Sequence, residues 1–213
     1  MELNSIRYYT SILKKEIPKE VFDPVPLRLA WLLIHLLVIS SCFFIICISE
    51  NIALKIILSI ASGNSFATLI FLGHEILHGA VIRGEKGIMF FSFICFFEKG
   101  LYPNIWIKWH NRLHHSNTQD SLKDPDCFGD VKYLKYKKFL SKKTFLLPGS
   151  KKIVSYFFLF YWFTFHTIIL TFKGASYIDL SKKDSYRGKL FFMLTNISML
   201  SFCFLIGDIS NVI

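Results

Sequence analysis

Five of the seven histidines in this chain fall into two clusters. The first, Gly73-His74-Glu75-Ile76-Leu77-His78-Gly79, holds two histidines four residues apart. The second, Trp109-His110-Asn111-Arg112-Leu113-His114-His115, holds three. On an α-helix residues i and i+4 project from one face, so His74 and His78 can converge on one ion, as can His110 and His114. His115 lies about 100° round the helix from His114, where it reaches a second ion, or the first if the helix ends there. Neutral imidazole ligates iron, zinc and copper. A histidine pair beside a membrane segment also occurs as plain interfacial polarity. The triplet following His78 makes metal chemistry the stronger reading.

The first cluster admits another metal chemistry. His74-Glu75-Ile76-Leu77-His78 fits the H-E-x-x-H helix of a zinc metalloprotease, with Glu75 as general base. That reading leaves the triplet unexplained and finds no Asp or Glu in a later span as third ligand. A non-enzymatic reading is a remnant or membrane partner that keeps the histidines without turnover.

The elements that must position these side chains are membrane helices. The chain is 53% hydrophobic and only 19% charged, outside the range of a soluble domain. Four stretches lack any charge and approach the roughly 20 residues that cross a bilayer: Leu29–Ile48, Ile56–Leu72, Ile153–Phe172 and Leu190–Ile206. The expected fold is therefore an all-α integral membrane protein of about four transmembrane helices, a single unit over residues 1–213. The net charge of +10 does not imply nucleic acid. Basic residues beside membrane spans set orientation and meet lipid headgroups, and no RNA-binding or zinc-finger motif accompanies them. The five scattered cysteines read as reduced, mostly buried small apolar residues.

Residues 1–24 form a polar N-terminal segment, with no cleavable signal peptide expected. Asp23-Pro24-Val25-Pro26 opens the first span, in which His35 reads as a hydrogen-bonded packing residue. The second span runs straight into the first histidine cluster. Ile88–Phe97 is apolar but too short to cross, so it is expected to be re-entrant or interfacial. Had it crossed, the two clusters would face opposite sides of the membrane. Tyr102, Trp106 and Trp109 read as interface aromatics. Ile105–His115 reads as an amphipathic helix along the membrane surface, presenting its histidines sideways. Residues 116–152 are Lys-rich and read as a solvated face, and His166 in the third span as a packing histidine. Segment 73–152 carries 14 Lys and Arg and the first 30 residues carry 5, against 1 between the first two spans. The positive-inside rule thus expects the N-terminal segment and both clusters in the cytosol, although loop 173–189, with 5, would then lie outside.

Two spans, a histidine pair, a histidine triplet and two further spans, in that order, resemble the membrane fatty acid desaturase superfamily. His74/His78 and His110/His114/His115 resemble its first two histidine boxes. The run His114-His115-Ser116-Asn117-Thr118-Gln119, followed by Asp124-Pro125-Asp126, is similar to a family pattern in which Asn usually stands at the place of Gln119. The resemblance implies two irons that activate O2, held by His74, His78, His110, His114 and His115 among others. It implies a membrane lipid or acyl substrate entering between helices, and a small electron donor of the ferredoxin or cytochrome b5 type. Redox chemistry on an unactivated methylene suits iron and excludes zinc, which has no accessible redox change. The family's third box would follow the fourth span and has no counterpart before Ile213. The chain is therefore expected to be the N-terminal part of a desaturase, with too few ligands for two irons and no activity alone.

Overall fold

The structure is a computed structural model that describes residues 6–118, 120, 123–126, 167–174 and 178–210. Its helices are α1 (Ile6–Glu16), α2 (Ala30–Ile48), α3 (Ile52–Leu77), α4 (Glu85–Cys95), α5 (Pro103–Trp106), α6 (His115–Asn117) and α7 (Lys182–Ser210). A π-helical run, Ile107–His114, joins α5 to α6 without a break. Residues 167–174 are also helical, and the described residues include no strand.

Three segments are long and apolar enough to cross a membrane: Lys19–Ile48, Ile52–Leu77 and Lys182–Leu205. Their outward faces leave Leu33, Leu37, Phe44, Ile57 and Phe204 exposed, which an integral membrane protein turns to lipid. The expected third span lies outside the described residues except for its last turns, as do most of the Lys-rich stretch, His166 and Cys127. Four free cysteines are described: Cys42 and Cys95 are buried, Cys47 is half-buried and Cys203 is exposed. His35 is half-buried and stacks on Trp31 with ring centroids 5.8 Å apart. Its Nδ1 is enclosed with no hydrogen-bond partner among the described residues.

Asn51 starts α3 by accepting the Leu54 amide on its side chain, 3.1 Å. The helix then runs for about 39 Å at 1.5 Å per residue, well past the apolar stretch, and carries His74 in its last turn. Its end is sharp. Gly79 adopts φ +72°, a left-handed conformation natural to glycine. The Gly79 amide reaches Ile76 O at 2.9 Å and the Ala80 amide reaches Glu75 O at 3.1 Å, a Schellman termination immediately after His78.

The chain then reverses into α4, about 16 Å long and too short to cross a bilayer. α4 meets α3 at Gly73, where a Cβ would lie 2.7 Å from Phe96 Cε1 and 2.9 Å from the Cys95 Cβ. Only glycine permits that approach, one residue before His74. Because α4 does not cross, the chain returns to the end of α3 from which it left. Trp106 and Trp109 there are buried at 6% and 2% exposure, and Tyr102 at 6%. The expectation of membrane-interface aromatics fails for these three, since their rings pack inside the protein among Phe96, Phe93 and the histidines.

Candidate metal centre

The two histidine clusters meet. His74 Nε2 lies 2.9 Å from His78 Nε2 and 3.1 Å from His110 Nε2, and His115 Nε2 lies 3.2 Å from His78 Nε2. All four offer ligand atoms within 4.8 Å of one another. A neutral imidazole nitrogen has either one proton or one lone pair, directed in the ring plane. His74 Nε2 therefore cannot satisfy both His78 and His110 by hydrogen bonding. Nitrogens about 2.1 Å from a shared ion at right angles to one another would be about 3.0 Å apart, which is the spacing observed. The donor set fits a metal.

His74 and His78 converge as the i, i+4 rule expects. The second pair does not follow that rule. The His115 amide bonds to His110 O, five residues back, which is the π-helical pattern. In an α-helix His110 and His115 would point about 140° apart. In a π-helix of about 4.4 residues per turn they come to about 50° apart. The widening swings His115 into the quartet beside His110 and leaves His114 outside it. Asn111, inside the π run, donates from Nδ2 to Leu77 O at 3.0 Å, which fastens this helix to the unpaired end of α3.

His114 joins a second group with His110 and Asp126, whose ligand atoms also lie within 4.8 Å of one another. Its Nδ1 donates to Asp124 Oδ1 at 2.9 Å, a carboxylate that is fully buried at its side chain. Asp126 accepts the Trp109 indole N–H on Oδ1 at 2.8 Å and faces His110 Nδ1 with Oδ2 at 3.3 Å. The Asp126 amide in turn donates to Asp124 Oδ1 at 2.8 Å. A carboxylate on Nδ1 fixes the tautomer that leaves the Nε2 lone pair of His110 facing the quartet. The sequence shows Asp124 and Asp126 plainly, and the need of a ligating histidine for a partner on its other nitrogen is the signal that gives them a role.

Glu75 answers the metalloprotease question. Its Oε2 pairs with Arg28 Nη1 at 3.0 Å, and its Oε1 stands 3.5 Å from His74 Nδ1, the nitrogen turned away from the quartet. A general base of the H-E-x-x-H type must face metal-bound water, and Glu75 sits on the opposite side of the ring. It positions His74 instead. The N-terminal segment braces the same corner: the Val25 amide donates to Ala80 O at 2.9 Å and Arg83 Nη2 to Phe22 O at 2.9 Å.

Burial first, then the neighbouring imidazoles of His115 and His110, push His78 below the ordinary histidine range. Burial, His110 and His114 do the same to His115. Both rings are thus neutral near pH 7, the form that binds a metal. Trp106 closes the inner side, edge-on to His74 at 5.7 Å and tilted against His110 at 4.7 Å between ring centroids.

A family profile described as fatty acid desaturase matches residues 51–208, most of the chain and every residue of both clusters. The chain belongs to the fatty acid desaturase family. Comparison with curated proteins and with solved structures gives no significant match. Within this desaturase-family chain, the profile begins at the cap of α3 and ends inside α7, so it takes in both sides of the histidine junction.

Proposed function

We propose that this chain supplies the histidine site of an iron-dependent oxidoreductase of membrane lipid, which acts on an acyl chain with O2 and electrons from a ferredoxin or cytochrome b5 type donor. The observation that carries the reading is the convergence of four Nε2 atoms at 2.9–3.2 Å from two separate helices. His74, His78, His110 and His115 would hold one iron. His114, with His110 and Asp126 beside it, would contribute toward a second. Iron bound there supplies the redox chemistry that breaks an unactivated C–H bond.

The surrounding residues do the rest. Asp126 holds the His110 ring in the ligating tautomer, and Glu75, itself held by Arg28, sets the His74 ring. Trp106, Phe96 and Trp109 exclude water from the inner side, so that oxidising equivalents are not lost to solvent. We place the histidine end in the cytosol. The 14 Lys and Arg of segment 73–152 support that side, and the N-terminal segment is tied to the same end. A cysteine replacing exposed Lys86, in a chain otherwise free of cysteine, should then react with an impermeant thiol reagent only from the cytosolic side.

The test is metal analysis of the chain purified from iron-replete cells, with the lipid double-bond profile of a desaturase-deficient host measured alongside. Iron that is lost on His74→Ala is the expected result. Stoichiometric zinc in place of iron would overturn the reading and reopen hydrolytic chemistry.

A further inference from the structure

The N-terminal segment is polar in composition, yet its residues sort by face. Along α1, Tyr8, Ile12 and Leu13 are all exposed. They fall within an arc of about 140° by the 3.6-residue repeat. Exposed Lys15 borders that arc, and Arg7, Thr10, Ser11 and Lys14 occupy the opposite positions of the repeat. Glu16 projects within the apolar arc in the last turn, which restricts the helix to shallow burial. A basic helix with one apolar stripe suits the boundary between lipid headgroups and acyl chains.

The chain holds this helix at the bilayer surface. Pro18 follows it, and the Lys19–Phe22 and Pro26–Leu29 turns lead directly into α2, the first span. Phe22 O accepts from Arg83 Nη2 at 2.9 Å, and Asp23 stands 3.7 Å from the same guanidinium. The Val25 amide donates to Ala80 O close by, so the link is fastened to the histidine end of α3. The step from Glu16 to Phe22 spans at most about 20 Å, which keeps the end of α1 near that anchor point. Val21, Phe22 and Leu27 in the link, and Trp31 at the head of α2, are also exposed apolar side chains. Along the chain they join α1 to the lipid-facing surface of α2.

We infer that α1 and the Lys19–Phe22 turn form an interfacial anchor that binds the anionic headgroup layer on the histidine side of the membrane. Residues 6–20 carry Arg7, Lys14, Lys15 and Lys19 against Glu16 and Glu20, four positive charges less two negative, a net charge of +2. Asp23 does not reduce this, because Arg83 neutralises it. Tyr8, Ile12 and Leu13 enter the apolar margin of the layer, while the basic residues meet anionic lipid. The anchor is independent of iron, since none of its residues belongs to the histidine junction.

The experiment is hydrogen–deuterium exchange on the full chain, a single copy per nanodisc. Discs of phosphatidylcholine alone are compared with discs that also contain phosphatidylserine. Amides of α1 should exchange about 30-fold more slowly in the anionic discs, the worth of two net charges beside such a surface. Lys15→Gln combined with Lys19→Gln brings the net charge of residues 6–20 to zero and should erase the difference between the discs. Ile12→Asp breaks the apolar stripe and should leave α1 exchanging fast in both. Equal exchange in the two discs for the natural chain, or a difference that survives the double substitution, would overturn the inference. So would protection that appears only when two chains share a disc, which would make α1 a contact between copies. Exchange across α3, expected to be unchanged in every variant, shows that the fold persists.

Discussion

The two histidine-bearing helices solve the same problem in different ways. α3 brings His74 and His78 together by ordinary α-helical geometry and then stops within two residues, at Gly79. The second helix carries its histidines one residue too far apart for that geometry, and it widens to a π-helix to align His110 with His115. The regular helix is cheap to form and its pairing is readable from spacing alone. The widened one gives up the regular i−4 hydrogen bonds for a rare i−5 pattern, and Asn111, Trp109 and the two aspartates hold it. Which side chains meet can therefore depend on helix type as much as on sequence position.

The sharpest way to break this comparison is to remove the two adjacent histidines one at a time. His115→Ala should weaken metal binding by more than about 100-fold, beyond the loss typical of outer partners. His114→Ala should cost far less at the quartet. Equal losses, measured by metal titration, would mean that the helix is α-helical in solution and that i, i+4 pairing governs both clusters. Asp126→Asn comes next. It keeps the size of the side chain but weakens the hold on His110 Nδ1 and the Trp109 indole, and metal affinity should fall by about 10- to 100-fold. Gly73→Ala tests the α3 side: a methyl group 2.7 Å from the Phe96 ring must displace α4, lowering stability by about 1–3 kcal/mol. The smallest effect belongs to Arg28→Ala. The Arg28–Glu75 pair is nearly half exposed at both ends, so thermal unfolding should register at most about 1 kcal/mol.

Much of this architecture is legible in the residues. Uncharged stretches locate α2, α3 and α7, and the shortness of Ile88–Phe97 correctly keeps both clusters at one end. The His74/His78 pairing follows from spacing. The π-helix does not, because Ile107–His114 has the composition of an ordinary amphipathic helix and its widening is fixed by tertiary partners. For the same reason Trp106 and Trp109 read as interface residues. Their rings suit an interface, and only the return of the chain beneath α3 shows that they are enclosed. Glu75 matches a hydrolase motif in one dimension, while Arg28, 47 residues earlier, turns it to another purpose.

The closeness of the clusters along the chain has a consequence for the order of assembly. His74 and His110 are separated by 36 positions and His78 and His115 by 37, with α4 as the only long element between them. Closing a loop of that size costs only a little more entropy than closing one half as long. The junction can form once α3, α4 and the second histidine helix have been synthesised, before α7 is made. An ion captured at that stage would act as a cross-link on a nascent chain, drawing α4 against Gly73 before α7 arrives. α7 would then dock on a finished surface, with Gly188 against Ile105 and Asp184 accepting from Asn104.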